Sequence, residues 1–410
     1  MSERVASSRP GQGRVTASAR DVLAHWPARL GVTWDTAFAT LFFFLPLSRS
    51  ILLTALPLTA FERLGSAEAV SFLFLSASLG GIIASLNLPP VVARLGCSGT
   101  FHLASLLLIS ATVALLSDSI VLFALGMVAY LAANTAFDVT LSVYLMQLLP
   151  RNELARFEPR RVFAMVAAFC IGPFLGVYMG EHGPRWLPFV ATGCVALVTL
   201  TYFRLLGLHR VSTSYKADPN PLKNVRRFWG QPRLRLAWSA ACARSGFWAT
   251  LFVYAPILMV SSGVDKVTAG TVMSVSVAMA FAVPLWARVG FKYGLRKLLT
   301  IAYAATGIMG FVLWLADVEP MAMALLIIAA AATASMIDGA GNVPFLRAVR
   351  GAERAEMAGV YGTFRDVSQL APPAIAAVVL QFAALPAVFG VVGTLLFGQA
   401  YLCKYLPRRM

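Results

Sequence analysis

Apolar runs of about 20 residues recur along almost the whole chain, separated by short polar breaks. Twenty residues rise about 30 Å as a helix, which matches the hydrocarbon core of a bilayer. Water is absent at that depth, so a run of this kind must satisfy its own backbone hydrogen bonds, and a helix does so. The weakly alternating strands of a membrane barrel are absent. Composition agrees: 59% of the 410 residues are hydrophobic and only 13% are charged, with mean hydropathy +0.74, unlike a soluble domain. The predicted fold class is therefore an all-α polytopic membrane protein with about twelve transmembrane helices. The predicted spans cover 39–61, 69–92, 99–117, 119–149, 162–181, 186–206, 236–261, 266–290, 298–316, 319–349, 357–382 and 385–406.

The formal net charge of +16 raises the question of nucleic acid, and the placement of that charge answers it. Of the 34 Lys and Arg, 28 fall on the side of the predicted topology that holds the N-terminus. The opposite side holds only Arg63, Arg185 and Lys266, and Arg49, Arg244 and Arg365 lie within spans. Acidic residues show no such bias. This is the positive-inside pattern, which puts both termini in the cytoplasm and makes membrane lipid, not nucleic acid, the partner of the basic face. The expected location is a bacterial inner (plasma) membrane. Residues 1–35 read as a solvated cytoplasmic tail, with no early apolar core followed by a cleavage site. Five cysteines and four histidines show neither paired nor clustered spacing, so no disulfide framework, metal or other cofactor is implied. No Ser/His/Asp set or phosphate-binding glycine loop stands out, and an enzyme is not expected.

The longest polar stretch, 207–235, divides the spans into a six-helix set at 36–206 and another at 236–406. A constant shift of 200 positions aligns Asp138 with Asp338, Val143 with Val343, Glu153 with Glu353, Ala155 with Ala355 and Pro173 with Pro373. VARLG (92–96) and WARVG (286–290) also correspond. These matches predict a duplicated six-helix unit, the architecture in which secondary transporters set their sites between two halves.

Several motifs carry a resemblance to the major facilitator superfamily, across roughly 36–406. ARLGCSG (93–99) and GFKYGLRK (290–297) are similar to the family's basic, Gly-containing loops after its second and eighth helices, with Ala93 and Phe291 where the family usually has Asp. PRNELARF (150–157) resembles the loop after its fourth helix, and GPFLG (172–176) an element of its fifth helix common among antiporters. The resemblance implies two pseudo-symmetric six-helix bundles, with the first, fourth, seventh and tenth helices lining a central cavity.

Two aspartates interrupt otherwise apolar runs: Asp138 in NTAFDVTLSVYLM and Asp338 in ASMIDGAGNVPFL. Arg49 in the first span and Arg244 in the seventh do the same. From their spacing to the span ends, all four lie about 13–17 Å from the cytoplasmic face, near mid-membrane. An isolated ion at that depth is costly, so we expect Arg49 to pair with Asp138 and Arg244 with Asp338. Such pairs either lock helices together or form a substrate and proton pathway, in which an aspartate takes up a proton when its arginine leaves. Arg365 and Asp366 sit in the cytoplasmic third of the eleventh span, as gating contacts to neighbouring helices or to Arg94. Glu153 with Arg156, and Glu353 with Arg350 or Arg354, read as interfacial latches or solvated pairs. Gly172 and Pro173, with Pro46, Pro57, Pro256, Pro372 and Pro373, read as hinges or packing kinks. Trp34, Trp248 and Tyr144 are candidates for substrate contact.

The leading functional expectation is a monomeric, proton-coupled secondary transporter that exports a small-molecule substrate by alternating access. One alternative is an organic-anion or organophosphate exchanger that grips its substrate with Arg49 and Arg244. Another is a family-like membrane sensor or accessory subunit that transports nothing.

Overall fold

A computed structural model describes residues 33–149, 151–211, 221–316, 318–350 and 353–406. The described residues form helices α1 (Trp34–Leu64), α2 (Ala67–Leu116), α3 (Ile120–Leu148), α4 (Arg151–His182), α5 (Leu187–Leu205), α6 (Pro221–Trp229), α7 (Pro232–Ser261) and α8 (Lys266–Ala278). They continue as α9 (Val283–Tyr293), α10 (Leu295–Leu315), α11 (Pro320–Asp338), α12 (Val343–Ala348), α13 (Arg354–Gly362), α14 (Phe364–Val379) and α15 (Pro386–Leu402). Among the described residues, ten helical segments are long and apolar enough to cross a membrane.

Two local breaks reconcile that figure with the expected twelve spans, and two more interrupt spans already counted. The 50 residues of α2 hold two crossings, because Gly96 inside it takes φ 68° and ψ 171° and turns the chain back. That conformation is open to glycine and nearly closed to any residue with a Cβ. The eleventh expected span is split at Thr363 into α13 and α14, each too short to count alone. In the tenth, α11 ends at Asp338 and a turn containing Gly339 and Gly341 (φ 50°) leads into α12. The eighth span is helical from Lys266 to Tyr293 but passes through a short 3-10 turn, Met279–Ala282. The sequence stretch expected to be a plain linker also carries a helix, α6.

Side-chain hydroxyls within the spans bond to carbonyls three or four residues back, as from Thr140 to Ala136 (2.7 Å), Ser105 to Phe101 (2.9 Å) and Thr250 to Gly246 (2.9 Å). This satisfies polar groups where no water is available. The apolar core segregates by half. One buried cluster draws on residues between Ala37 and Val211, joined by Ile257, and a second on residues between Ala240 and Leu406. Between the halves, α4 lies along α8, α2 along α14 and α1 along α7.

GPFLG serves close packing. A Cβ on Gly176 would overlap the Ile51 carbonyl oxygen of α1, with the carbonyl carbon at 2.8 Å, and one on Gly172 would strike Ser50. The approach lets the Ser50 hydroxyl donate to the Ala168 carbonyl at 2.8 Å. Backbone on both sides leaves no room to relax, so overpacking should be severe. We expect Gly176→Val to lower stability by about 1–3 kcal/mol or more, read as an earlier thermal unfolding of purified protein. Gly359→Ala, whose Cβ meets nothing within 4 Å, should leave the midpoint unchanged or raise it. Equal midpoints for the two variants would show that the α1–α4 crossing is not the tight contact described.

Candidate functional site

The four intramembrane charges come together in two pairs. Arg49 Nη1 lies 3.8 Å from Asp138 Oδ2, and Arg244 Nε lies 3.6 Å from Asp338 Oδ1. Arg49 is the middle residue of the 31-residue α1. Asp138 stands 18 residues beyond Ile120, the start of α3, and Asp338 the same distance beyond Pro320, the start of α11. The equal register gives both carboxylates the same depth. Each pair therefore ties the first and fourth spans of its own half.

The two pairs differ in their surroundings. In the first, Arg49 and Asp138 side chains are 36% and 64% exposed, and the contact is a loose ion pair without hydrogen-bond geometry. The Arg49 backbone is held instead, since its carbonyl accepts the Tyr130 hydroxyl at 2.8 Å. In the second, Arg244 and Asp338 are 14% and 25% exposed. Here the Trp248 indole N–H donates to Asp338 Oδ2 at 2.9 Å, so both carboxylate oxygens are engaged. Trp248 also stacks on Phe252, and the Arg244 guanidinium lies 5.9 Å from the Phe364 ring. A cleft of about 10 Å³, room for one water, lies beside Arg244, Tyr303 and Tyr361.

The other expected site residues divide. Gly172 and Pro173 sit where α4 meets both α1 and α8: the Pro173 carbonyl lies 3.1 Å from where a Gly270 Cβ would be, and the Phe174 N–H donates to Ser274 Oγ at 2.9 Å. Asp366 lies beside Ser85 of α2, while the neighbouring Arg365 is exposed beside the Phe364 ring. Arg94 is exposed at the bend of α2. The side chains of Glu153 and Arg156 lie outside the described residues. Glu353 finds a different partner from the one expected. It pairs with Arg227 of α6 at 2.9 Å, and Arg227 also reaches Glu356 at 2.7 Å. A charge on the stretch expected to be a linker thus reaches Glu353, because α6 brings it into range, while the side chain of Arg354 lies outside the described residues. Of the aromatic candidates, Trp248 reaches the charged centre. Tyr144 is fully buried against Phe203, in the core of the first half.

Sequence reasoning missed a cluster on the face opposite the N-terminus of α1. Lys266, which opens α8, contacts Glu62 near the end of α1 and Glu181 near the end of α4, the latter at 2.7 Å. One ammonium thus bridges two carboxylates of the other half. The preceding Asp265 caps α8 by accepting the Thr268 N–H at 2.8 Å, and this bond holds its carboxyl below the usual range. Also between the halves, the Tyr254 hydroxyl of α7 donates to Ser71 Oγ of α2 at 2.9 Å. The only hint in the sequence was that Lys266 is one of three basic residues on that face.

The family model of the Major Facilitator Superfamily matches residues 38–373. The chain belongs to the Major Facilitator Superfamily; it is an integral membrane transporter, not an enzyme. Comparison with curated proteins found no match. Among solved structures it is similar to the nucleoside transporter NupG, with a TM-score of 0.71 at 13% identity over 91% of this chain and 98% of that one. It is likewise similar to a peptide transporter POT in complex with sulfate (TM-score 0.70, 13% identity, 90% and 93% covered). A POT family transporter in complex with 5-aminolevulinic acid gives a TM-score of 0.71 at 12% identity, over 90% of this chain and 94% of that one. At these identities the likeness speaks for the fold.

If the Lys266 cluster holds the two halves together on its face, Lys266→Gln should loosen the α4–α8 seam. Val177, buried in that seam against Gly270, gives the reporter. In a background without native cysteines, labelling of Val177→Cys by a membrane-impermeant maleimide should rise about two- to fivefold, the effect of partly exposed ion pairs worth up to about 1 kcal/mol. Unchanged labelling would mean that apolar packing alone closes this face.

Proposed function

We propose that the chain is a proton-coupled secondary transporter that exports a small polar organic solute by alternating access. The observation that carries this reading is the pair of matched ionic contacts, Arg49 with Asp138 and Arg244 with Asp338, one per half at equal depth. Ionisable residues at mid-membrane stand on ion or substrate pathways in most transporters. Each aspartate is balanced by an arginine in this state, so movement of a helix that withdraws the arginine exchanges that balance for a proton. Both guanidinium groups are engaged, which supports proton chemistry over an anion exchanger, where they would be left free for the substrate. The basic bias of one face supports cytoplasmic termini. With that orientation, the Lys266 cluster closes the outer side. The GPFLG element supports export. The nucleoside and peptide transporters of the same fold support a polar solute with several hydrogen-bonding groups.

The test is flux in proteoliposomes with an imposed pH gradient, using a panel of labelled nucleosides, dipeptides and organophosphates. The wild type should accumulate a solute against its gradient. Asp338→Asn and Asp138→Asn should lose gradient-driven accumulation to the level of empty liposomes while retaining solute exchange, and Arg49→Ala should lose both. Flux that ignores the gradient, with all three variants matching wild type, would refute coupling through these residues. A wild type that moves no solute in the panel while binding one would favour the sensor reading.

A further inference from the structure

On the same face as the N-terminus of α1, the chain leaves a pocket of about 270 Å³ between the start of α10 and the end of α15, lined by Arg296, Lys297, Thr300, Ile301 and Lys404. Three of these five side chains are cationic. No carboxylate pairs with them among the described residues, and neither the stretch WARVGFKYGLRKLLT (286–300) nor QAYLCKYL (399–406) contains an Asp or Glu. Elsewhere on the basic face Arg160, Arg161 and Arg227 have acidic partners, while Arg226, Arg233 and Arg235 have no ion pair among the described residues and line no such pocket.

The pocket is also placed for a lipid. Ile301, one turn deeper on α10, is 59% exposed, and Tyr401 and Tyr405 beside Lys404 are 62% and 63% exposed. Apolar side chains and rings that face outward on a membrane protein face acyl chains and the interfacial zone. The Lys404 ammonium sits 3.3 Å from the centroid of the Tyr401 ring and 4.9 Å from that of Tyr405, which fixes it at the rim. The result is a cationic mouth above an apolar, outward-facing wall, the two chemistries of a phospholipid in their proper order. A soluble anion would have use for the first and none for the second.

We propose that Arg296, Lys297 and Lys404 bind the phosphate headgroup of an acidic phospholipid, with one acyl chain lying along Ile301. Basic pockets between spans on the cytoplasmic side hold acidic headgroups by this chemistry. The site does not depend on what the transporter carries.

Native mass spectrometry of the full chain in detergent, titrated with dioleoylphosphatidylglycerol or dioleoylphosphatidylcholine, tests it. Each basic residue near an acidic headgroup contributes roughly a fivefold gain, so three give on the order of 100-fold. The wild type should bind one phosphatidylglycerol far more tightly than phosphatidylcholine. Arg296→Gln/Lys297→Gln/Lys404→Gln should lose that preference. Arg226→Gln/Arg233→Gln/Arg235→Gln, which removes as much charge from the same face, should keep it, as should the charge-conserving Lys404→Arg. Inorganic phosphate in large excess should fail to displace the lipid. Equal phosphatidylglycerol binding by the pocket and control variants would overturn the site. Displacement by inorganic phosphate at concentrations near that of the lipid would overturn the lipid as its occupant.

Discussion

A charge at the middle of a bilayer must be neutralised or removed, and this requirement organises the centre of the protein. On an insertion scale each Arg or Asp there costs about 3 kcal/mol, and the chain carries four. They are tolerable because each lies within 4 Å of an opposite charge: Arg49 with Asp138, and Arg244 with Asp338. Pairing dictates that the first and fourth spans of each half stay in register. The 200-residue repeat in sequence becomes a common depth in space, with both aspartates 18 residues from the start of their spans. Removing one partner would leave the other exposed to the full cost of burial, so the pairs are better viewed as mutually required than as added stability.

The two halves meet that requirement differently, and the difference has a local cause. Around Asp138 the sequence DVTLSVYL allows α3 to run on to Leu148. Around Asp338 the sequence DGAGNVPF ends α11 at the aspartate itself and turns before α12. The broken backbone lets Trp248 approach and donate to the carboxylate, and the pair is the more sheltered of the two. A centre with one open and one enclosed ion pair is asymmetric in how easily each can be undone. Around this centre, the Lys266 cluster, the Tyr254–Ser71 bond and the Gly270 approach to α4 close one face, while the basic residues gather at the other.

Much of this was legible in the sequence, because hydrocarbon punishes exceptions. Charges inside apolar runs announce themselves; depth and sign require each arginine to meet an aspartate, and the family resemblance supplied which helices face one another. The spans were legible for the same reason, although the merging of two of them at Gly96 needs a backbone angle that no composition reveals. What the sequence hid was tertiary. Lys266 draws its partners from α1 and α4, 204 and 85 positions away. Arg227 reaches Glu353 only because α6 folds back over the second half. Gly172 and Pro173 read as a hinge or a packing kink, and the contact of Gly172 with Ser50 is one that only the packed helices define. The turn after Asp338 is the opposite case, since its two glycines, asparagine and proline were in plain view.

Arg244 and Asp338 form one energetic unit at the centre of the second half, and a double-mutant cycle of unfolding on Arg244→Gln and Asp338→Asn measures that directly. Each single variant should lose stability by about 3 kcal/mol through a charge left unpaired. The double variant should lose about 3–5 kcal/mol instead of the additive loss of about 6, a coupling of roughly 1–3 kcal/mol. Losses that simply add would mean that the two side chains stand near one another without depending on one another.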